Sequence, residues 1–528
     1  MSNATEPVIG IDLGTTNSCV AVVIDGEVHV VPDESGSPLQ ASVIAFLKGG
    51  SVVVGNQAKQ EIMIDPVNTV FSAKRLIGRS FDSPEVQRAV RTLPYQVIRG
   101  EDQQPFIEIR GERFGLPEVS GMVLRRMKDI AEAYIGRTVQ QAVITVPANF
   151  NDTQRQMTKL AGELAGLHIL RVINEPTAAA LAYGYGHDVN ARVGIYDFGG
   201  GTFDITILDI RENVFEVLST AGDGYLGGDD FDERLVRCMA VAFEQQHGYT
   251  IDVDPIACAR LNHVAEKTKL ELTETDRAIV NVQELTIGPD GQSLDLRFRL
   301  DRQGFMERCQ DIVQRTFVVC DEALRGARLQ AQDLEQIVLV GGSSRIPIVR
   351  EMVGQYFGRA PLVDLNPDEV IAIGAAIQGA ALAEDFFVED HTKVQPLLLD
   401  VAPQSLGLAS VDDYYEVLIE RNAQIPCERK QVFTTSQNGQ TSVRIRIFQG
   451  EHNSVGRNTQ LGEVELYGLR AAPRGEVKIE VAFEIDTDGI VVVRALDLET
   501  GLEQATRVHT SAGYSDEEIE DMRRRSGL

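Results

Sequence analysis

The sequence Ile195-Tyr196-Asp197-Phe198-Gly199-Gly200-Gly201-Thr202-Phe203-Asp204 places three glycines directly after a short apolar strand. A similar turn occurs near the N-terminus, in Ile9-Gly10-Ile11-Asp12-Leu13-Gly14-Thr15-Thr16-Asn17. Glycines let successive backbone N–H groups converge on an anion, and nearby hydroxyls add donors. One such turn alone is more often just a tight turn. Two copies in matching strand contexts predict a duplicated domain that grips one polyphosphate between its halves.

Each of these turns also follows an aspartate at the end of its strand, Asp12 in the first and Asp197 in the second. Carboxylate oxygens suit a hard cation such as Mg²⁺, which bridges phosphates and orients water. The repeat therefore predicts a cation site beside the phosphates.

A third apolar strand ends in a glycine turn at residues 340–345, Val-Gly-Gly-Ser-Ser-Arg. This turn is suited to face ribose, phosphate or base, with Arg345 stacking on a ring. When it is considered alone, a helix N-terminus capped by serine explains it equally well.

The segment 254–273 has helical periodicity, with Leu261 and Leu272 on its apolar side. Glu266, Lys269 and Thr273 share the opposite face. From the pattern alone, this second face is interpreted as solvated.

Other nucleotide and hydrolase motifs have little support. Residues 222–227 match G-x-G-x-x-G, but two helices are predicted to follow instead of a βαβ unit, so the match is weak. The sequence contains no GxxxxGK[ST], HExxH or GxSxG motif, which excludes P-loop proteins and leaves zinc peptidases and hydrolase triads without support.

Composition narrows the class of protein. The chain has 528 residues, 43% hydrophobic and 24% charged, which is typical of globular proteins rather than disordered or membrane proteins. Its length predicts about three to four compact units. The formal net charge of -28 disfavours general nucleic-acid binding, although a local loop with a metal ion can still hold one nucleotide.

The sequence also bears on location. Its six cysteines form no CxxC pair, the N-terminus has no secretory signal, and the most apolar stretch, 370–383, is short of the roughly 20 residues of a membrane span. We therefore expect a cytoplasmic protein with reduced thiols that binds neither membrane nor nucleic acid.

The periodicity changes along the chain. Up to about residue 385, buried strands such as VIGID, AVITVPA, VGIYDFGG and IVLVGG alternate with helical stretches, which favours an α/β architecture. After about residue 400, strict alternation in 475–486 and 443–447 predicts a separate antiparallel β-domain, with Asp488-Gly489 as a hairpin turn.

Two short segments flank this β-domain. The junction 386–404 contains Leu397 to Leu399, which the pattern alone leaves open as a linker or as the start of the next core. In the tail, Ser515 and Glu518 have capping-box spacing, and Arg523 to Arg525 match the helix dipole. So short a helix must dock or fray.

Together these motifs resemble the seventy-kilodalton heat-shock chaperones of the DnaK type, and the resemblance covers nearly the whole chain. The matching segments are GIDLGTTNS (10–18), KRLIG (74–78), AVITVPANFND (142–152), INEPTAAALAYG (173–184), YDFGGGTFD (196–204), LGGDDFD (226–232), LVGGSSRIP (339–347), NPDEVIAIGAA (366–376), LLLDVAPQSLG (397–407), QVFTTSQNGQ (431–440) and DGI (488–490).

The resemblance implies an actin-like, duplicated two-lobed ATPase domain over residues 1–385 and a linker over 386–400. An all-β sandwich that binds peptides would follow over 401–510, and then a short C-terminal helix over 511–528 in place of a full lid. It also implies ATP-dependent binding and release of short extended hydrophobic segments of unfolded proteins. The implied cofactors are ATP or ADP, Mg²⁺ and K⁺, and the implied partners are a J-domain co-chaperone and a nucleotide exchange factor.

Site residues follow from the same resemblance. Those implied for catalysis are Asp12, Lys74, Glu175, Asp197 and Thr202, with Asp12, Asp197 and Asp204 organising the metal ions. Those implied for nucleotide binding are Gly14, Thr15, Thr16, Asn17, Gly199, Gly200, Gly201, Thr202, Glu266, Lys269, Thr273, Gly341, Gly342, Ser343, Arg345 and Asp368. From the residues alone, Glu175 is equally a helix-dipole partner at the head of an Ala-rich helix.

The β-domain and the junction receive their roles in the same way. The implied peptide-groove residues are Leu408, Ser410, Val411, Phe433, Thr434, Ser436, Gln440, Ser442, Val443, Ile445 and Ile479, although Val443, Ile445 and Ile479 also fit a plain sandwich core. The residues implied for coupling between domains are Pro147, Arg155, Leu397, Leu398, Leu399 and Asp400.

Three departures from the family pattern affect coupling and peptide retention. Asn149 stands where the family usually has Tyr, and Pro396 replaces an aliphatic residue and stiffens the linker. The sequence ends at Leu528 after one short helix, so we expect a lidless groove that exchanges peptide quickly.

Two alternatives to a chaperone remain at this stage. An actin-superfamily sugar or acetate kinase would need only the first domain. A pure interaction module would bind ATP without turnover. The β-domain argues against the first alternative, and the set Asp12, Lys74, Glu175, Asp197 and Thr202 argues against the second.

Overall fold

Apolar, β-branched runs build the first of two similar sheets. The computed structural model describes residues 6–100, 103–187, 189–251, 255–383, 395–410, 413–507 and 514–527. In the first half, residues 6–187, the elements are β1 Val8–Asp12, β2 Asn17–Ile24, β3 Glu27–Val30, β4 Leu39–Ala41, β5 Ile44–Phe46, β6 Val52–Val54, α1 Asn56–Glu61, β7 Thr69–Val70, α2 Pro84–Thr92, β8 Gln96–Arg99, β9 Pro105–Ile109, β10 Glu112–Gly115, α3 Leu116–Ile135, β11 Gln141–Val146, α4 Asp152–Leu164, β12 His168–Asn174 and α5 Glu175–Gly184.

The second half, residues 189–383, also contains a central sheet and helices. Its elements are β13 Ala191–Phe198, β14 Phe203–Arg211, β15 Val214–Asp223, α6 Gly228–His247, α7 Pro255–Glu274, β16 Arg277–Ile287, β17 Ser293–Asp301, α8 Arg302–Ala327, β18 Gln336–Val340, α9 Pro347–Phe357 and α10 Val370–Leu382.

The main sheets of the two halves have matching strand order and direction. The first runs β12-β11-β1-β2-β3, and the second contains β18-β13-β14-β15. β1 is parallel to β11 and antiparallel to β2, as β13 is parallel to β18 and antiparallel to β14. The first glycine turn therefore joins β1 to β2, and the second joins β13 to β14. The two turns lie at equivalent edges of their sheets.

Two small-residue helices, α5 and α10, bring the halves together. Gly374 of α10 lies so close to the Ala178 carbonyl of α5 that any side chain there would overlap it, and Gly10 of β1 abuts the α10 backbone at Ala376 in the same way. The apolar stretch 370–383 is thus a buried packing helix. Within the described ranges, no helix combines the length and apolarity needed to cross a membrane.

The β-domain, residues 401–507, is built from two four-stranded sheets around one core. The strands of these sheets are β20 Leu406–Ala409, β21 Tyr415–Ile419, β23 Cys427–Thr434, β24 Ser442–Gln449, β25 Thr459–Tyr467, β26 Lys478–Ile485, β27 Val491–Asp497 and β28 Glu503–Arg507, while the short strand β22 Gln424–Ile425 of the same segment joins the second large sheet. The sheet orders are β21-β20-β24-β25 and β23-β26-β27-β28. Ile447 of β24 and Phe483 of β26 share this core, and the predicted alternation is confirmed except at Ala482, which is also buried. The predicted hairpin is confirmed as well, because Gly489 turns β26 into β27 with φ +76°.

The junction leucines belong to a strand of the second sheet. Residues Leu397–Val401 form β19, which runs parallel to β15 and pairs with β22 through Asp400 and Val401. Leu398 packs against the core that contains Phe215, so the interpretation of these leucines as the start of the β-domain core is wrong. Residues 386–394 of the predicted linker lie outside the described residues.

The tail helix docks instead of fraying. Helix α11, Asp516–Ser526, begins with the predicted capping box, in which Ser515 Oγ accepts the Glu518 N–H. Its Met522 is fully buried in the core of the first half, where Gly115 leaves no room for a side chain of its own. Arg525 donates two hydrogen bonds of 2.8 Å to the buried Glu118 carboxylate of α3.

Replacing Met522 with alanine is expected to weaken this docking by about 2–5 kcal/mol, because a buried side chain is replaced by a cavity. Hydrogen exchange of the α11 amides should then accelerate at least tenfold in the intact chain. The matched control, Glu517→Ala, changes an exposed residue of the same helix and should leave exchange nearly unchanged. Equal protection in Met522→Ala and the wild type would contradict the docked position.

Candidate functional site

The two glycine turns face each other across the junction of the halves. A side chain at Gly200 would overlap the hydroxyl of Thr16, so the second turn lies directly against the first. Gly14 is equally restricted, because a side chain there would meet the Asn17 carbonyl. The structure thus brings the backbone groups of both predicted phosphate turns to one place.

A buried ion pair lies beside these turns. Lys74 belongs to the short 3-10 turn Ala73–Arg75, and Glu175 opens helix α5. The Lys74 ammonium donates to the Glu175 carboxylate, and both side chains are more than nine-tenths buried. Glu175 is therefore more than a helix-dipole partner, since it fixes the position of the lysine.

Three carboxylates complete this end of the site. Asp12 accepts a 3.1 Å hydrogen bond from Thr145, and Asp204 accepts the Asn149 backbone N–H at 3.2 Å. Burial raises the pKa of Asp12 to about 7, with Glu175 adding to the rise. Burial, followed by repulsion from Glu175, also raises the pKa values of Asp197 and Asp204 well above the usual carboxyl range.

These carboxylates fit a cation that shares its other ligands with phosphate and water. Asp197 and Asp204 each have one buried carboxylate oxygen with no hydrogen-bond partner among the described residues. Within the same ranges, no three His, Cys, Asp or Glu side chains converge to form a metal site by themselves. Asp197 and Asp204 are buried among other carboxylates, and the Lys74 ammonium offsets only part of this negative charge, so the donor set is suited to a further cation such as Mg²⁺.

Helix α7 contributes a buried lysine to the other end of the site. Lys269 is 9% exposed and donates to Asp232 at 2.6 Å and to the Gly228 carbonyl at 3.1 Å. Glu266 pairs at 2.7 Å with Lys59 of the first half, while Thr273 donates to the Lys269 carbonyl. The interpretation of this helix face as solvated is wrong for Lys269, because its partner Asp232 lies on a different helix.

The third glycine turn supports the second one. Ser343 Oγ donates to the Gly199 carbonyl at 2.8 Å, so this serine does not cap a helix. Gly341 has φ +77°, and a side chain there would meet the Phe198 carbonyl, so glycine is required at this position. Arg345 pairs with Asp368 at 2.7 Å, and Gly342 lies beside the same carboxylate. Gly228 lies between Ser343 and Lys269, which brings the two predicted adenosine-binding segments together.

Two of the predicted coupling residues, Arg155 and Asp400, meet at the start of α5, whereas Leu397, Leu398 and Leu399 pair with β15. Asp400 of β19 accepts hydrogen bonds from Asn174 at 2.9 Å and Thr177 at 3.2 Å. The Arg155 guanidinium donates to Asn174 at 2.6 Å. All four side chains are buried, and Asn174 directly precedes Glu175. Buried Pro147 lies two residues before Asn149, whose N–H contacts Asp204.

The predicted peptide-groove residues lie mainly on β20, β23, β24 and β26 and differ in exposure. Leu408, Ile445 and Ile479 are buried members of the core, whereas Phe433 and Val443 are only partly buried against it. The exposed members are Thr434, Ser436 and Ser442, while Ser410 and Gln440 are half-buried. The Gln440 side chain joins the Ser436 N–H to the Ser442 carbonyl, and Val411 lies outside the described residues.

Several residues that make important contacts could not be predicted from the sequence. Asn174 and Thr177 hold the junction strand, and Asp152, Lys159 and Asp488 join the β-domain to helix α4. Their partners are more than 200 residues away in the chain, so no local pattern indicates them. The one available signal is that Asn174 and Thr177 lie in INEPTAAALAYG, Asp152 in AVITVPANFND and Asp488 in DGI, all segments of the resemblance.

The structure thus combines a glycine-lined site that contains buried carboxylates with a β-sandwich. Strand β19 joins the two parts. The family model described as Hsp70 protein matches residues 8–527. The chain belongs to the Hsp70 family.

Membership establishes the general properties of the protein. Hsp70 proteins bind ATP and ADP with Mg²⁺, hydrolyse ATP and act as ATP-dependent chaperones that bind unfolded peptides and co-chaperones.

Proposed function

We propose that ATP cleavage between the two glycine turns controls how the β-domain binds short, extended, hydrophobic segments of unfolded proteins. One observation carries this proposal: Asp400 of the junction strand is hydrogen-bonded to Asn174, the neighbour of Glu175. When a change at the phosphates moves α5, this hydrogen bond passes the movement to β19, the strand that leads into the β-domain.

The side chains at the turns have complementary roles in the cleavage of ATP. Lys74 stabilises the negative charge that develops on the γ-phosphate, since a buried cation acts strongly in a water-poor site. Glu175 and Thr202 place the attacking water. Asp12, Asp197 and Asp204 would hold Mg²⁺ and an associated K⁺, and Mg²⁺ bound there would supply positive charge against the phosphates and the reacting oxygens.

At the other end, Lys269, Glu266 and Thr273 face the adenosine from one side, and Ser343 and Arg345 from the other. The support is that Lys269 donates to the Gly228 carbonyl and Ser343 to the Gly199 carbonyl, at the second glycine turn. A planar guanidinium such as that of Arg345 is suited to stacking on a base.

The β-domain contacts the first half through its hairpin. Asp488 accepts from Lys159 at 2.8 Å and from the Val172 N–H at 3.2 Å, and Asp152 accepts the Val491 N–H at 2.8 Å. These bonds describe a docked arrangement of the two domains. We infer that this is the low-affinity form for peptide, and that undocking after ATP cleavage tightens the groove.

Peptide recognition is assigned to the partly buried Phe433 and Val443 and the backbone groups around them. Apolar contacts combined with backbone hydrogen bonds select extended hydrophobic segments with little sequence preference. A J-domain protein that stimulates cleavage and a nucleotide exchange factor complete the cycle. Their assignment rests on family membership.

The test is the release of a bound peptide. A fluorescent, extended, apolar peptide loaded in ADP should dissociate at least tenfold faster when Mg-ATP is added, because ATP favours the docked form. A peptide of equal length with acidic side chains at the apolar positions serves as the control and should not load. Release that is equally fast in ADP and in ATP would contradict the coupling, and failure of the apolar peptide to load would contradict the assigned groove.

A further inference from the structure

Hydrogen bonds from outside the second glycine turn hold all three of its glycine carbonyls. The donors are Ser343 Oγ at 2.8 Å and the Gly228 N–H at 3.0 Å to Gly199, the Asp229 N–H at 2.8 Å to Gly200, and Arg75 Nη2 at 3.0 Å to Gly201. In a planar trans peptide, the carbonyl and the N–H of the next residue point in opposite directions. The held carbonyls therefore fix the direction of the N–H groups that follow them.

Ser42 has the same role at the first glycine turn. Its hydroxyl donates to the Gly14 carbonyl at 2.8 Å, and its N–H donates to the Thr16 carbonyl at 2.8 Å. Within the described ranges, no other group donates a hydrogen bond to the carbonyl of Gly14, Thr15 or Thr16. The hold on the Gly14 carbonyl thus rests on one hydroxyl, whereas the hold on the second turn is shared among several groups.

The fold fixes the position of Ser42 beside this turn. The residue directly follows β4, which pairs with β2 through Asn17, Ser18 and Cys19, and it is only 8% exposed. Ser18 Oγ lies 3.0 Å from Ser42 Oγ. Since the one Ser42 hydroxyl proton is used on the Gly14 carbonyl, the Ser18 hydroxyl donates to Ser42 Oγ. These two bonds leave the Ser42 hydroxyl one orientation.

The Thr15 N–H is the donor whose direction Ser42 sets. It belongs to the same peptide unit as the Gly14 carbonyl and has no hydrogen-bond acceptor in the parts of the chain that the structure describes. Thr15 is 7% exposed and lies against the second turn, since a side chain at Gly201 would come within 2.8 Å of its methyl group. A backbone N–H in so buried a residue is normally paired, so this donor is available to a ligand between the turns.

We propose that Ser42 is a positioning residue, which aims the Thr15 N–H at the nucleotide phosphates by holding the Gly14 carbonyl. The inference rests on the proposed function, because it assumes that the phosphates lie between the two turns. It adds a residue that lies outside both glycine motifs and acts through the backbone of one of them. Without the Ser42 hydroxyl, the Gly14 peptide unit is free to rotate, and the donor is no longer preorganised for an anion.

The experiment compares the affinities of Mg-ATP and adenosine for the intact chain, measured by competition with a fluorescent nucleotide. Ser42→Ala should weaken ATP binding at least fivefold and change adenosine binding less than twofold, because the residues proposed to face the adenosine lie in the second half. Ser42→Cys keeps the shape of the side chain but has a weaker donor, so its loss should be intermediate.

Ser37→Ala is the matched control for these variants. The Ser37 hydroxyl also donates to a backbone carbonyl, that of Leu39 at 2.8 Å, but this carbonyl lies outside both glycine turns. The control should therefore keep the affinities of ATP and adenosine within twofold of the wild type.

The difference between the two ligands separates positioning from simple stabilisation of the fold. Equal losses for ATP and adenosine in Ser42→Ala would overturn the role of Ser42, and so would an unchanged ATP affinity. If the alanine variant does not fold, the losses in Ser42→Cys decide by the same comparison. A wild type that binds ATP no more tightly than adenosine contradicts the proposed function itself, because the phosphates then gain nothing from the turns.

Discussion

Replacing Lys74 with methionine is expected to lower the single-turnover rate of ATP cleavage by about 10²–10³-fold, the usual effect of removing one group that stabilises transition-state charge. Methionine keeps the unbranched shape of the side chain but removes the ammonium that pairs with Glu175. Because the glycine turns and the residues around Gly228 remain, nucleotide affinity should change far less than the rate. The measurement is acid-quenched cleavage of a stoichiometric amount of ATP.

Lys128→Met is the matched control for this variant. Lys128 donates to the Gly166 carbonyl at 2.9 Å in the first half and touches none of the phosphate turns. Its loss should leave cleavage within twofold of the wild type. A decrease of less than tenfold in Lys74→Met would remove Lys74 from the proposed mechanism.

Replacing Asp400 with alanine is expected to abolish the coupling between the domains while basal ATP turnover stays within about threefold. The substitution removes the acceptor of the Asn174 and Thr177 hydrogen bonds in a buried site. Hydrogen bonds to a charged group each contribute about 1.5–3 kcal/mol, so the docked population should fall at least tenfold. ATP-triggered peptide release, measured as above, should slow by a similar factor.

An exposed aspartate of the β-domain provides the control for Asp400. Asp413 pairs with Arg446 at 2.5 Å on the surface, where an ion pair contributes little. Asp413→Ala should therefore retain full ATP-triggered release. If Asp400→Ala releases peptide as fast as Asp413→Ala does, the junction strand does not transmit the signal.

The parts of the fold that depend on local sequence were predictable. The alternation in β26, the hairpin at Gly489 and the capping box at Ser515 follow from side-chain periodicity and turn geometry within a few residues. The two glycine turns were predictable for a further reason. A repeated motif marks two equivalent sheet edges before the topology is known.

The remaining parts of the site depend on contacts between distant segments. Lys74 and Glu175 are 101 residues apart, and neither stands out in its own segment, so only the family resemblance identified them. Lys269 looked solvated because its partner Asp232 lies on another helix. The junction leucines were ambiguous for the same reason, since an apolar run does not reveal which of two neighbouring sheets it joins.

The most direct test of the account is single-turnover ATP cleavage by the intact chain with and without a saturating, unfolded apolar peptide. Coupling between two binding sites is reciprocal in their affinities, so peptide that is released by ATP must in turn destabilise the docked, ATP-bound form. We expect undocking to move α5 and Glu175 and so to change the cleavage rate. Peptide should raise the cleavage rate at least fivefold in the wild type and have no such effect in Asp400→Ala. A wild-type rate that is the same with and without peptide would contradict the account.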